Sequence, residues 1–204
     1  PSSSALTQCI AQDVHAKSVL NSGSGNAVSL HGDTLLVPGA WIFERRGDEW
    51  VETARLAPAD FPPDGAFGSA VELGRGVAVV SSKWEQGGVY VFERAESGWT
   101  QVARLRPVED AAQYQWMSLA LADDVLAVGN YADSTGGEDA GAVYVYERVE
   151  GEWRRTATLF AHDGGSFHGF GRAGAADGST LLVAWGPSGV VCVFDRTASG
   201  WQEG

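Results

Sequence analysis

The sequence has little of what nucleic-acid-binding and membrane proteins depend on. It carries 14 Lys and Arg against 26 Asp and Glu, a formal net charge of −12, and its basic residues are dispersed along the chain. Nucleic acids and anionic membrane surfaces are bound by clustered basic side chains, so we expect neither as a partner. No apolar run approaches the ~18 residues of a membrane-spanning helix, and we expect no membrane insertion.

Residues and motifs for catalysis are also scarce. The chain has two cysteines, Cys9 and Cys192, and four histidines. It contains no Gly-x-Ser-x-Gly nucleophile elbow and no phosphate-cradling glycine loop, and the sequence places no histidine beside either cysteine. We therefore predict no catalytic residues. The sequence favours a protein that is not an enzyme without deciding the question.

What the chain does have is a repeat. One short string ending in an acidic residue and Arg occurs four times, and a Trp follows each acidic position by six residues. The strings and the tryptophans advance along the chain by identical intervals, which indicates a unit of about fifty residues. The strings are Trp41–Arg45, Tyr90–Arg94, Tyr144–Arg148 and Cys192–Arg196, and the tryptophans are Trp50, Trp99, Trp153 and Trp201.

Each unit is predicted to form four short strands. In the second unit, β-branched and aromatic runs at 67–73, 77–80, 89–94 and 99–107 are separated by Gly, Asp and Ser clusters. No segment has the 3.6-residue period of a helix. We predict a single all-β domain over residues 1–204, with repeats at about 24–57, 67–107, 114–160 and 168–204.

Repeats of this size must stack to cover their apolar faces, and the expected architecture is a four-bladed β-propeller. Small residues at equivalent first-strand positions favour a ring over a solenoid; they are Ala27, Ala70, Ser118 and Ala173. Residues 5–13 resemble a fourth strand, so the N-terminal segment is predicted to complete the last blade and close the ring. A fragment of a larger propeller and a ring shared by two chains remain as alternatives.

The strings Phe67-Gly68-Ser69-Ala70-Val71, Phe170-Gly171-Arg172-Ala173 and Gly141 to Tyr146 resemble FG-GAP repeats, the blades of integrin-α-like propellers and of many secreted bacterial proteins. The resemblance implies a propeller that binds ligands on its loop face. It also implies seven blades in integrins, whereas this chain has material for four. Turns such as Asp123-Asp124 are too short and too poor in oxygen ligands for an integrin-type calcium loop, so we expect no such calcium and no obligatory cofactor.

The variable loops supply the candidate ligand-binding residues. The segment between second and third strands is minimal in the first unit and expands to residues 130–139 in the third. Aromatic rings beside carboxylates are typical of sugar recognition and of protein contacts. The predicted ligand-binding residues are Trp84, Glu85, Tyr131, Asp133 and Trp185. The simpler interpretation is that the tryptophans cap the ends of the blades.

Three histidines, His15, His162 and His168, fall in loops that become neighbours if the N-terminal strand closes the ring. Imidazoles in such a group can hold a transition metal, although solvated loop histidines are the simpler interpretation. The leading functional hypothesis is a monomeric, secreted bacterial binding or adhesion module for a glycan or a protein. The alternatives are a metal-binding or enzymatic propeller that uses these histidines, and a structural ring within a larger protein.

The two cysteines are predicted to form a disulfide across the outer strands of the fourth blade. Tyr90 is expected to lie opposite Val102, and Cys192 is the counterpart of Tyr90. Setting Gln8 on Gln101 makes Cys9 the counterpart of Val102; an alignment anchored on Asp13 shifts the pairing. Such a bond would close nearly the whole chain into one loop and imply an oxidising, secreted, periplasmic or cell-surface location.

Overall fold

A computed structural model describes residues 28–59, 67–82, 88–107, 117–162, 165–186 and 189–204. Within these ranges the chain forms strands and no helix, which confirms the all-β prediction. The strands form antiparallel sheets of four strands each, and each sheet follows chain order from first to last strand. No helix long and apolar enough to cross a membrane occurs in these ranges.

Sheets I and II cover the first half of the described chain. Sheet I consists of β1 (Ser29–His31), β2 (Thr34–Val37), β3 (Trp41–Arg46) and β4 (Glu49–Arg55). Sheet II consists of β5 (Phe67–Gly74), β6 (Val77–Ser82), β7 (Gly88–Ala95) and β8 (Gly98–Leu105).

Sheets III and IV follow in the same order. Sheet III consists of β9 (Met117–Ala122), β10 (Val125–Asn130), β11 (Ala142–Val149) and β12 (Glu152–Leu159). Sheet IV consists of β13 (Ala173–Ala176), β14 (Thr180–Trp185), β15 (Val190–Thr197) and β16 (Gly200–Glu203).

The sheets pack face to face in chain order, I on II, II on III and III on IV. The second strands β6 and β10 are buried at every residue, because a neighbouring sheet covers each of their faces. Burial on both faces explains why their sequences are almost continuously apolar. A strand with one solvent-exposed face would instead alternate apolar and polar residues. The innermost strands make most of the contacts between sheets, as the small residues on the first strands predict.

Each sheet has a leading face, which packs on the preceding sheet, and a trailing face, which packs on the following one. In sheet II the leading face carries Tyr90 and Phe92, which join the core shared with sheet I. The trailing face carries Val89 and Val91, which join the core shared with sheet III. Alternation along one strand thus supplies two different cores, as the two-residue period of a strand requires.

The Phe-Gly pair at the start of a repeat has a packing explanation. Phe67 and Phe170 are 4% and 0% exposed, in the cores between sheets I and II and between sheets III and IV. The glycine that follows adopts a positive φ, +87° at both Gly68 and Gly171. A Cβ on Gly68 would lie 2.5 Å from the backbone nitrogen of Gly39 in the preceding sheet, so only glycine permits this approach.

The predicted register of the outer hairpin is wrong by two residues. Tyr90 lies opposite Arg104, not Val102: the pairing of Ala95 with Gly98 at the turn accounts for one residue of the difference, and the shift of the ladder at Val91 and Phe92 accounts for the other. Equivalent shifts occur in sheets I and III, so the β-bulge belongs to the repeat. With Gln8 still set on Gln101, Cys9 takes the bulge position rather than the one opposite Cys192. Cys9 lies outside the described residues, and the disulfide stays a prediction with a weaker geometric basis.

Candidate ligand-binding face

Three connections of sheets III and IV begin at the same strand ends of these two sheets. Their described residues are 131–141 after β10, 160–162 and 165–172 after β12, and 186 and 189 after β14. Alternate strands of an antiparallel sheet run in the same direction, so these connections leave the sheets on one side. The structure brings Tyr131 and Trp185, both predicted to bind ligand, next to neighbouring residues of one segment, Tyr131 beside Gly169 and Trp185 beside His168.

The segment 165–171 is fixed to the long loop of sheet III by backbone hydrogen bonds. The amides of Phe167, Gly169 and Phe170 donate to successive carbonyl oxygens of residues 138, 139 and 140, at 2.7, 3.0 and 2.9 Å. Gly141 and Phe170 also form a parallel β-bridge. The side chains that project from these loops are therefore held on a bonded framework that spans two sheets.

Tyr131 and Arg172 form one half of the face. The Arg172 guanidinium carbon lies 5.0 Å from the centre of the Tyr131 ring, in range of a cation–π interaction. Burial raises the pKa of Tyr131, and the positive charge of Arg172 partly opposes that shift. The phenol is therefore neutral at physiological pH and can donate or accept a hydrogen bond.

His168 and Trp185 form the other half. Their ring centres are 4.8 Å apart with the planes tilted by 42°. The Gly165 amide donates to His168 Nδ1 at 2.8 Å, and the Gly186 amide donates to the His168 carbonyl oxygen at 2.8 Å. Since Nδ1 accepts, a neutral His168 carries its proton on Nε2. Trp185 Nε1 is buried and has no hydrogen-bond partner among the described residues.

Asp133 supports the loop rather than the surface. It is 0% exposed, and its carboxylate accepts from the Tyr144 hydroxyl at 2.5 Å and from the Thr135 amide at 2.9 Å. Burial, followed by this hydrogen bond and the carboxylate charge, raises the pKa of Tyr144 well above its ordinary value. The sequence interpretation of Asp133 as a ligand-contacting residue therefore differs from its buried position.

Sequence reasoning missed two residues of this face. Arg172 stands in the Phe-Gly-Arg-Ala string, which sequence analysis assigned to the scaffold. Phe167 is 64% exposed and has φ +65°, a conformation that non-glycine residues rarely adopt. A Phe in the Gly-rich segment between His162 and His168 is the sequence signal that could have singled it out.

Several predicted residues lie outside the described ranges, namely Trp84, Glu85, His15 and Cys9. His162 is described and exposed, and it lines a groove along the outer edge of sheet IV together with Trp185. In the described part of the chain, no three His, Cys, Asp or Glu side chains group as metal ligands would. The metal-binding prediction for His15, His162 and His168 is untested because His15 is not among those residues.

In the described residues, four antiparallel four-stranded sheets packed in chain order define a propeller-like all-β repeat fold. Residues 99–146 match the sequence model of a family described as FG-GAP repeat, which confirms the predicted resemblance over this segment. The match begins in β8 of sheet II and ends in β11 of sheet III, so the sequence repeat is offset from the sheet by one strand. Comparison with curated proteins found no match.

Proposed function

We propose that the protein is a binding module that holds a glycan or a protein segment on the face formed by Tyr131, Phe167, His168, Arg172 and Trp185. One observation carries the proposal: two ring contacts, Arg172 over Tyr131 at 5.0 Å and His168 against Trp185 at 4.8 Å, occur on the same hydrogen-bonded segment as the exposed Phe167 ring. Aromatic rings held beside polar and charged groups on a fixed framework are typical of a binding surface.

The chemistry of the face suits a sugar. Aromatic rings stack on the C–H faces of a pyranose, while the imidazole and the guanidinium donate to hydroxyl or carboxylate oxygens. The exposed ring of Phe167 adds apolar area at the edge. A protein ligand would use the same aromatic anchors, so the class of ligand is left to experiment.

Location and assembly are part of the proposal. We place the module outside the cytoplasm, as a secreted or cell-surface binding or adhesion domain, on the basis of the FG-GAP resemblance and the predicted disulfide. The predicted disulfide would reinforce the outer edge of sheet IV.

We further propose that the protein acts as a monomeric four-bladed ring in which residues 5–13 add to β15. β16 pairs only with Phe194–Thr197, so Val190–Val193 extend beyond it. A groove of about 470 Å³ runs along this stretch and is lined by Val190, Val191, Val193 and Gly204 among others. In sheet II the equivalent space is filled by Ala103–Leu105 of β8. The one-strand offset of the FG-GAP match supports an exchange of outer strands between the ends of the chain.

The test is binding of the wild-type protein to a glycan array and to candidate surface proteins, followed by Trp185→Ala. We expect the substitution to weaken binding at least ~10-fold, as for a central aromatic anchor. Val102→Ala is the matched control, because Val102 is 47% exposed on the outer strand of sheet II, away from the loops. Unchanged binding by Trp185→Ala, or equal losses in the two variants, would refute the proposed face. Metal analysis of the same sample tests the histidine alternative.

A further inference from the structure

The acidic-Arg string that marks each repeat forms an ion pair between consecutive sheets. Arg94 of sheet II pairs with Glu44 of sheet I. The Arg148 guanidinium lies 2.8 Å from the Glu93 carboxylate, and that of Arg196 lies 2.8 Å from the Glu147 carboxylate. The acidic residue of one sheet therefore receives the Arg of the next, three times in succession.

In sheet IV the repeat tryptophan contributes to the same contact. Trp201 Nε1 donates to Glu147 at 2.8 Å, so Glu147 accepts from both the Arg and the Trp of sheet IV. Trp201 lies directly opposite Arg196 in the ladder, which directs both donors from one face of the sheet. The recurring acidic-Arg pair is thus the sequence signature of a contact between sheets, and in sheet IV the Trp adds to it.

One acidic residue and one Arg of the series are left over. Arg45 of sheet I, opposite Trp50 in its ladder, donates Nε to the nearby Gly47 carbonyl oxygen at 3.2 Å. Asp195 of sheet IV accepts from Thr180 within its own sheet at 2.7 Å. Among the described residues neither has the ion pair to a neighbouring sheet that its three counterparts make.

The apolar faces beside these two residues are left over in the same way. On the trailing face of sheet IV, Leu182, Val191 and Val193 are 42%, 52% and 39% exposed. Their counterparts Val79, Val89 and Val91 in sheet II are all 0% exposed.

On the leading face of sheet I, Val28 and Leu30 are 66% and 62% exposed, whereas Val71 and Leu73 of sheet II are 2% and 5% exposed. Each end of the stack therefore presents half of the interface that the interior sheets complete. Sheet IV presents a trailing face and sheet I presents a leading face.

We propose that the trailing face of sheet IV packs on the leading face of sheet I of the same chain, with Asp195 accepting from Arg45 as a fourth ion pair. This deepens the proposed ring and rests on it. The two halves are complementary, because Asp195 and Arg45 carry opposite charges and a trailing face packs on a leading face at each interior interface. One chain carries both halves, so the contact forms at a high effective concentration. A head-to-tail contact between separate copies would instead require a second closing contact or lead to open filaments.

The test is crosslinking by a short bifunctional maleimide in a background with Cys9→Ser and Cys192→Ser, where the predicted disulfide cannot close the chain. The test pair is Arg45→Cys with Asp195→Cys, both at exposed positions. The positive control is Glu147→Cys with Arg196→Cys, which replaces an ion pair that the structure shows. The negative control is Arg45→Cys with Glu147→Cys, which uses sheets I and III.

We expect the test pair to give an intrachain product, identified by peptide mapping, at the yield of the positive control and independent of protein concentration. A product that joins two chains would overturn the proposal in favour of a second copy, and a yield no higher than that of the negative control would overturn closure altogether. Ligand binding is measured independently of crosslinking, because the ligand-binding face is formed by sheets III and IV. If the wild-type protein binds no ligand while the test pair crosslinks, only the proposed function is refuted. If the wild-type protein binds ligand while the test pair does not crosslink, only closure is refuted.

Discussion

The junction between sheets II and III and the outer face of sheet IV use the same positions with opposite results. Val89 and Val91 are inaccessible to solvent, whereas Val191 and Val193, at the equivalent places in β15, are about half exposed. The side chains are identical. Burial in this molecule is therefore set by whether a neighbouring sheet is present, and an apolar strand in a repeat array specifies a partner as much as a core.

The largest effect on stability is expected from truncating two leucines at equivalent positions of covered and open sheets. Leu36 in sheet I and Leu182 in sheet IV both face a trailing-face partner in the next strand, Ile42 and Val193, yet they are 0% and 42% exposed. We expect Leu36→Ala to lower the free energy of unfolding by about 2–5 kcal/mol, as for a fully buried leucine. If sheet I covers sheet IV, Leu182→Ala should cost at least half as much.

Urea unfolding of the two variants measures both values. A loss of only a few tenths of a kcal/mol for Leu182→Ala, beside a large loss for Leu36→Ala, would show that the outer face of sheet IV is uncovered in solution. It would also argue against ring closure.

The second prediction concerns the close approach of sheets at the Phe-Gly pair. Gly68→Ala would place a Cβ 2.5 Å from the Gly39 nitrogen and 2.7 Å from the Ala40 nitrogen, both backbone atoms that cannot move aside. We expect a loss of about 2–4 kcal/mol, from the positive φ and the overlap together. Gly76→Ala is the control, because Gly76 has φ +72° but nothing within 4 Å of the added Cβ.

Thermal unfolding of the two glycine variants separates backbone strain from packing. Gly76→Ala should show the strain alone, about 1 kcal/mol. Equal losses in the two variants would mean that the approach of sheets I and II does not limit stability.

The repeat and its strands could be predicted because period-two patterns and turn residues are local signals. The register could not, since the bulge at Val91 and Phe92 adds a residue to β8 that no composition rule marks. The contact between Glu147 and Arg196 was equally hidden, although its residues are the most regular letters of the repeat. Regularity showed that they matter, and only the packing of one sheet on the next showed why.

The third prediction tests how the covered junction supports the ligand-binding face. Tyr144 is 4% exposed between sheets II and III, and its hydroxyl is bonded to buried Asp133 at the base of the long loop. Tyr144→Phe removes the donor and leaves a buried carboxylate, so we expect a loss of about 1–3 kcal/mol and weaker ligand binding. Unfolding and binding are measured on the same sample.

The double variant Tyr144→Phe with Asp133→Asn is the control for this pair. If the hydrogen bond carries the effect, the two single losses should not add. Full additivity would show that the residues act separately.

The candidate site was predictable only in part for the same reason. Tyr131 and Trp185 could be proposed from the sequence because aromatic residues in variable loops interrupt the repeat. Asp133 was placed on the surface because a loop carboxylate is normally solvated, and nothing in the sequence reveals the Tyr144 hydroxyl above it. Arg172 was overlooked because the repeat pattern accounted for its neighbours.

The smallest expected effect is a pH dependence that distinguishes the covered junction from the open end. Burial raises the pKa of Glu72 in sheet II above its ordinary value of 4.5, although Ser29 of sheet I donates to it at 3.0 Å. At the edge of sheet IV, the amides of Thr180 and Ser179 lower the pKa of Asp177 below 3.8. A folded state that binds an extra proton loses stability as pH rises, and one that holds a carboxylate ionised loses stability as pH falls.

Glu72→Gln should therefore gain stability relative to wild type as the pH rises through 4.5 and the raised pKa of Glu72, and the gain should level off above it. Asp177→Asn should show the opposite trend, a small loss at neutral pH that disappears as the pH falls through the lowered pKa. Urea unfolding of wild type and both variants from about pH 3 to about pH 7 gives the two difference curves, since both ordinary carboxyl pKa values lie in that range. A Glu72→Gln curve that is flat, or that falls with pH, would mean that this carboxyl group is not desolvated in solution. That result would contradict the difference in burial that the structure shows between the covered sheets and the open end of sheet IV.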